Sequence, residues 1–163
     1  MGDFSSEELA KRTHTHLNTY ITSADQKASI LLTALFAFLG FYGSGVGAVW
    51  QDASLSFKLL SGLTIGSGLI GALFAGLVIY PRSPQGEEDG LMFWESITSR
   101  DQSTFVSEVT SLNDDAALEE IIKQNHTLAE VADGKYKYTR CALIATAVSV
   151  GFAMASAGSY FLY

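Results

Sequence analysis

Cysteine, proline and charge are all scarce in this chain of 163 residues. One cysteine, Cys141, excludes an internal disulfide framework and any zinc site built on thiolates. The two prolines, Pro81 and Pro84, share residues 81–90 with two glycines and three acids, a composition that marks an exposed loop. Basic residues number 10 against 17 acids, a net charge of −7, which argues against nucleic acid as a partner, DNA or RNA. Charged residues make up 17%, below the roughly 25% of average soluble domains. The shortage is local: residues 28–51, 59–80 and 141–163 contain no Asp, Glu, Lys or Arg.

Catalytic machinery is lacking too. No Gly-rich phosphate loop ends in Lys, and no Gly-x-Ser-x-Gly turn is present. His14 and His16 are two residues apart, so on a helix they point about 200° apart and cannot share a metal. His126 has only Glu130 one turn later. The chain is therefore expected to be neither an enzyme nor a metal or cofactor protein. The apolar runs carry no acidic or basic group, which weighs against a proton-coupled transporter or a charge-lined filter.

What is present is three runs each long enough to cross a bilayer. A helix of about 22 residues rises about 33 Å, just over the roughly 30 Å hydrocarbon core. The alternative, that one run is a buried core helix, suits residues 59–80 best, because that run holds five glycines. Glycine is nevertheless tolerated in membrane helices. The expected class is an all-α membrane protein with spans at about 28–50, 59–80 and 141–163. Residues 1–27 form an amphipathic helix and 81–140 a second helical region. The first run follows 27 residues and exceeds a signal core of about 7–15, so it is expected to remain in the mature protein.

Nine of the 10 basic residues lie in segments 1–27 and 81–140, and Lys58 alone lies in the hairpin between the first two spans. By the positive-inside rule both segments are expected in the cytoplasm of a multi-pass inner-membrane protein, with the hairpin and the C-terminus outside. Trp50, Tyr160, Phe161 and Tyr163 then fall near the outer interface, and Tyr80, Tyr136 and Tyr138 near the inner one.

The polar segments read as helices. Ser5 and Glu8 fit a capping box, and Leu9, Thr13, Leu17, Tyr20, Ile21, Ala24 and Ala28 follow at helical spacing. With no Gly or Pro between Ser5 and Gly40, this helix is expected to run unbroken into the first span. Residues 113–115 can cap a second helix, whose stripe of Leu118, Ile121, Ile122, Asn125, Leu128, Ala129, Ala132 and Tyr136 leads into the third span. Gly134 is its weak point, costing ~1 kcal/mol against Ala. Residues 101–112 read as a short amphipathic helix. The patch at 91–94 fits a strand, a wedge or an interfacial foot.

Small residues recur at four-residue spacing in the spans: Gly43 and Gly47; Gly62 and Gly66; Gly68, Ala72 and Gly76; and Ala147, Gly151, Ala155 and Ser159. Such ridges let helices approach closely in lipid. They fit packing within one chain, and their number favours a homo-oligomer. Asp25, Lys27 and Arg82 mark the inner ends of the first two spans. They are read either as groups that snorkel to headgroups, or as part of an anion site. In that site Lys27, Arg82, His126 and Lys135 supply charge, and Phe93 and Trp94 supply aromatic faces that stack a base.

Residues 24–28 (Ala-Asp-Gln-Lys-Ala) run into Ile30, Leu31 and Leu32. Tyr80-Pro81-Arg82 follows the second span, then Leu91-Met92-Phe93-Trp94, then His126-Thr127-Leu128-Ala129, with Lys135-Tyr136 before the last span. This order resembles the transmembrane effectors of bacterial pyrimidine-cyclase anti-phage (Pycsar) systems. The resemblance implies a defence role. A cognate cyclase makes cyclic CMP or cyclic UMP on infection, and the effector responds by impairing the inner membrane, so that the infected cell stops before phage multiply. The implied partners are the lipid bilayer, further copies of the chain and the cyclic nucleotide. Two other classes stay open from the residues: a constitutive small channel or holin-like pore, and a membrane scaffold that binds a partner through its polar helices.

Overall fold

A computed structural model describes residues 5–80 and 90–161, and they are all helical or irregular. Five helices follow in order: α1 (Ser6–Val49), α2 (Leu55–Ile79), α3 (Trp94–Ser99), α4 (Gln102–Ser111) and α5 (Asp114–Phe161). Helices α1, α2 and α5 are each long and apolar enough to cross a membrane. In lipid this is the expected solution, because a helix satisfies its backbone hydrogen bonds within itself.

Local chemistry sets the ends. The Ser5 hydroxyl accepts from the Glu8 amide at 3.1 Å, while the Glu8 carboxylate pairs with Arg12 Nε at 2.7 Å. Ser54 caps α2 by accepting from the Phe57 amide, and Asn113 caps α5 by accepting from the Ala116 amide at 2.8 Å. Each such cap stabilises its helix by about 1 kcal/mol. Helix α2 starts at Leu55, so it takes in Lys58 and leaves a connection shorter than the one between the expected spans at about 28–50 and 59–80. It ends at Tyr80, whose φ of −61° and ψ of 125° are extended, as a residue before proline requires.

The chain divides into two compact units, Met1–Thr22 with Arg82–Asp133, and Ser23–Pro81 with Gly134–Tyr163. The first is the polar unit and the second the apolar unit. The boundaries fall inside α1 and α5, and each of those helices is unbroken through its boundary, as their patterning predicts. In α5 the boundary coincides with Gly134.

In the polar unit Asn125 is the internal tie. Its amide donates to the Ala10 carbonyl at 2.8 Å, and its oxygen lies 3.2 Å from His14 Nδ1. Leu91 donates its amide to Glu120 at 3.1 Å. Arg100 donates to the carbonyls of Gly90 and Ser96 and pairs with Glu108 at 3.1 Å. The patch at 91–94 is not a strand: Phe93 is the N-cap residue of α3, and Trp94 begins that helix. Helix α4 forms within the range read from sequence but has no buried residue.

The apolar unit packs α2 against the adjoining stretches of α1 and α5. Contacts between Gly68 and Leu39 and between Gly71 and Leu35 show α1 and α2 running antiparallel. Tyr42 of α1 bonds Ser61 of α2 at 3.0 Å and Ser156 of α5 at 2.5 Å. Ser149 of α5 donates to the Thr64 carbonyl of α2. Outside these contacts the surface is apolar and exposed, with Ile30, Phe41, Leu55 and Met154 all more than two-thirds accessible. In a protein with three span-length helices, such a surface is one that hydrocarbon covers.

Candidate functional site

Three of the seven ligand-binding candidates come together in the apolar unit. Ala24, Ala28 and Val78 are almost wholly buried against one another, with Tyr138 packed on them. The two alanines are small enough to let α1 and α2 approach here. Asp25 lies beside this contact and pairs with the Lys135 ammonium, which also donates to the Val78 carbonyl at 2.7 Å. One cation therefore joins α1, α2 and α5. Val78 lies in the last turn of α2, where carbonyls have no partner within the helix and the helix dipole is negative. Helix α2 has no basic residue of its own in that turn, and α5 supplies the charge.

Lys27 is turned to the next residue of α5. Its ammonium lies 5.7 Å from the centroid of the Tyr136 ring, a cation–π geometry. Helix α5 thus receives both charged residues of this α1 turn through consecutive side chains. Phe74 and Tyr138 stack nearby at 6.1 Å between centroids.

Three further candidates belong to the polar unit. Phe93 is half-buried in the polar unit, and Trp94 is there too, its side chain outside the described residues. His126 is exposed in the same unit, 3.8 Å from the Glu130 carboxylate. Arg82 and the loop read at 81–90 lie outside the described residues, apart from Gly90. Among the described residues, no three His, Cys, Asp or Glu groups are placed to hold a metal.

The small residues of the spans separate into two sets, and the ridge of Gly68, Ala72 and Gly76 is itself split, since a Cβ on Gly76 meets nothing within 4 Å. Gly68 and Gly71 are used inside the unit. A Cβ on Gly68 would meet Leu39 at 2.7 Å and Ser149 at 3.1 Å, and one on Gly71 would meet Thr146, Leu35 and the Ala142 carbonyl within 3.4 Å. By contrast a Cβ on Gly43, Gly47, Gly62, Gly66 or Gly151 meets nothing within 4 Å. Ala147 and Ala155, on the Gly151 ridge, are exposed as well.

Sequence reasoning missed the Val78 carbonyl, a backbone group that no residue type reveals. It also missed the hydrogen bonds of Tyr42, Ser61, Thr64, Ser149 and Ser156. Their signal was available as polar side chains inside otherwise apolar runs. Asn125 carried a similar signal, as an amide within an apolar stripe.

These features define a class: an all-helical, multi-pass membrane protein with a polar helical unit and a charged clasp at one end of its spans. A family model described as the Pycsar effector protein domain matches residues 9–162, and the chain belongs to this family of transmembrane anti-phage effectors, which is not a known catalytic family. The Pycsar effector protein SaPycTM of Staphylococcus aureus is 28% identical over 142 residues, covering 87% of this chain and 88% of that protein. No solved structure matches the chain.

Proposed function

We propose that the protein is a nucleotide-triggered effector that impairs the inner membrane of an infected bacterium and so aborts the infection. The trigger is a cyclic pyrimidine mononucleotide, cyclic CMP or cyclic UMP, made by a cognate cyclase. The observation that carries this reading beyond family membership is the continuity of α1 and α5, each one uninterrupted helix with residues in both units. A ligand that binds one helix arrangement better than another shifts the population between them, and unbroken helices carry such a change along their length.

Lys27 and Lys135 are the proposed cations for the ligand phosphate, with Asp25 as the internal anion that Lys135 already pairs with. The polar unit is proposed to be cytoplasmic, following the basic residues. The ridges at Gly43 and Gly47, Gly62 and Gly66, and Ala147, Gly151 and Ala155 are proposed contacts between copies. Their support is that they are open in the single chain.

Dye release from vesicles, with and without each cyclic nucleotide, tests the reading. Release that appears only with cyclic CMP or cyclic UMP is the expected result. Release without nucleotide marks a constitutive pore, and vesicles that stay sealed under all conditions mark a scaffold.

A further inference from the structure

We propose that Lys135 is the resting lock of the apolar unit: it holds the Asp25 turn of α1 to the C-terminal end of α2 by bridging two negative groups that would otherwise repel. The groups are the Asp25 carboxylate and the Val78 carbonyl at the C-terminal end of α2. Both carry negative charge, one formal and one from the unpaired end of a helix. They are drawn toward one place by the close packing of Ala24 and Ala28 with Val78, whose exposures are 0%, 1% and 0%. The Lys135 side chain is 15% exposed and that of Asp25 37%, so water screens the cluster incompletely.

A charge pair of this kind adds little net stability compared with apolar packing, but removing one partner leaves the other uncompensated. Here the asymmetry gives a direction. Taking the ammonium away turns an attraction between α1 and α2 into a repulsion, whereas taking the carboxylate charge away leaves Lys135 bonded to α2. Resting on the function proposed above, a phosphate group that drew Lys135 from Asp25 would have the same effect as removing the ammonium. Phosphate is suited to this, because it accepts charge-assisted hydrogen bonds from ammonium groups.

The lock is tested with Lys135→Met, Asp25→Asn, Lys135→Arg and the double variant Asp25→Asn/Lys135→Met. Hydrogen exchange is read over residues 74–80, and dye release is read from phosphatidylethanolamine–phosphatidylglycerol vesicles without nucleotide. Lys135→Met is expected to speed exchange there by about tenfold or more and to release dye, while Lys135→Arg, which keeps the positive charge, is expected to keep exchange slow over those residues. The double variant is expected to return toward the parent, because the unpaired carboxylate is gone; it also serves if Lys135→Met alone fails to fold. Exchange that is the same in Lys135→Met and parent overturns the lock, as does a double variant no better protected than the single one. A parent that stays sealed with both cyclic nucleotides, beside a Lys135→Met protein with fast exchange, overturns the proposed trigger and leaves the lock standing.

Discussion

Ser149 of α5 donates its hydroxyl to the Thr64 carbonyl of α2 across 2.7 Å, and both side chains are completely buried. Thr64 in turn donates its own hydroxyl back to Leu60 at 2.9 Å within α2. In lipid there is no hydrophobic force between helices, so packing and such bonds supply the association. Ser149→Ala is expected to lower the stability of the apolar unit by about 0.6 kcal/mol, up to ~1.7 kcal/mol. Unfolding in mixed detergent micelles measures it, and Ser149→Thr is the control that keeps the hydroxyl.

Gly71 faces neighbours on both α1 and α5, whereas Gly151 faces open space. Gly71→Val is expected to overpack the unit and cost about 1–3 kcal/mol. Gly151→Leu is expected to leave the single chain as stable as the parent and to block self-association. Thermal melts separate the two effects, and native mass spectrometry reads assembly. An unchanged oligomer mass for Gly151→Leu contradicts the proposed ridge.

Asn125 ties α5 to α1 in the polar unit through Ala10 and His14, with both of its amide groups in use. Asn125→Leu removes these bonds at a cost of about 1–3 kcal/mol. Faster proteolysis within residues 6–22 and 114–133 is the expected outcome. The same cleavage rate as the parent would show that apolar packing alone holds these helices.

Asp101 caps α4, accepting from the Ser103 amide at 3.3 Å and the Ser103 hydroxyl at 2.5 Å. The hydroxyl first, and the amide after it, hold its carboxyl below the ordinary carboxylate range. A lowered folded-state pKa means that the cap's contribution is complete above the ordinary value, about 4. It is lost as pH falls through the lower folded value. Amide exchange at residues 103–105, compared with a control helix, is therefore expected to quicken below about pH 4. Asp101→Asn is expected to remove that pH dependence.

The clasp was only half legible in the sequence. Asp25, Lys27 and Lys135 stood out because charges flanking an apolar run are few. Their partners did not: Lys135 is bonded to Asp25 and to a backbone carbonyl, and residue type announces neither contact. Residue identity gives the sign of a charge, and only packing decides what neutralises it. The Gly and Ala ridges teach the same lesson, since the same four-residue spacing serves Gly68 inside the unit and Gly151 outside it.

The linear chain by itself determined the helices. Long uncharged runs, a proline placed only after the second span, and Ser, Asn and Asp at the helix starts act through neighbours a few residues away. That is why the unbroken course of α1 and α5 is legible in the sequence. Tertiary structure alone decided which face of each helix turns inward and where Lys135 directs its ammonium. Those depend on residues 57 to 110 positions apart, and no local pattern encodes the rotation of one helix against another.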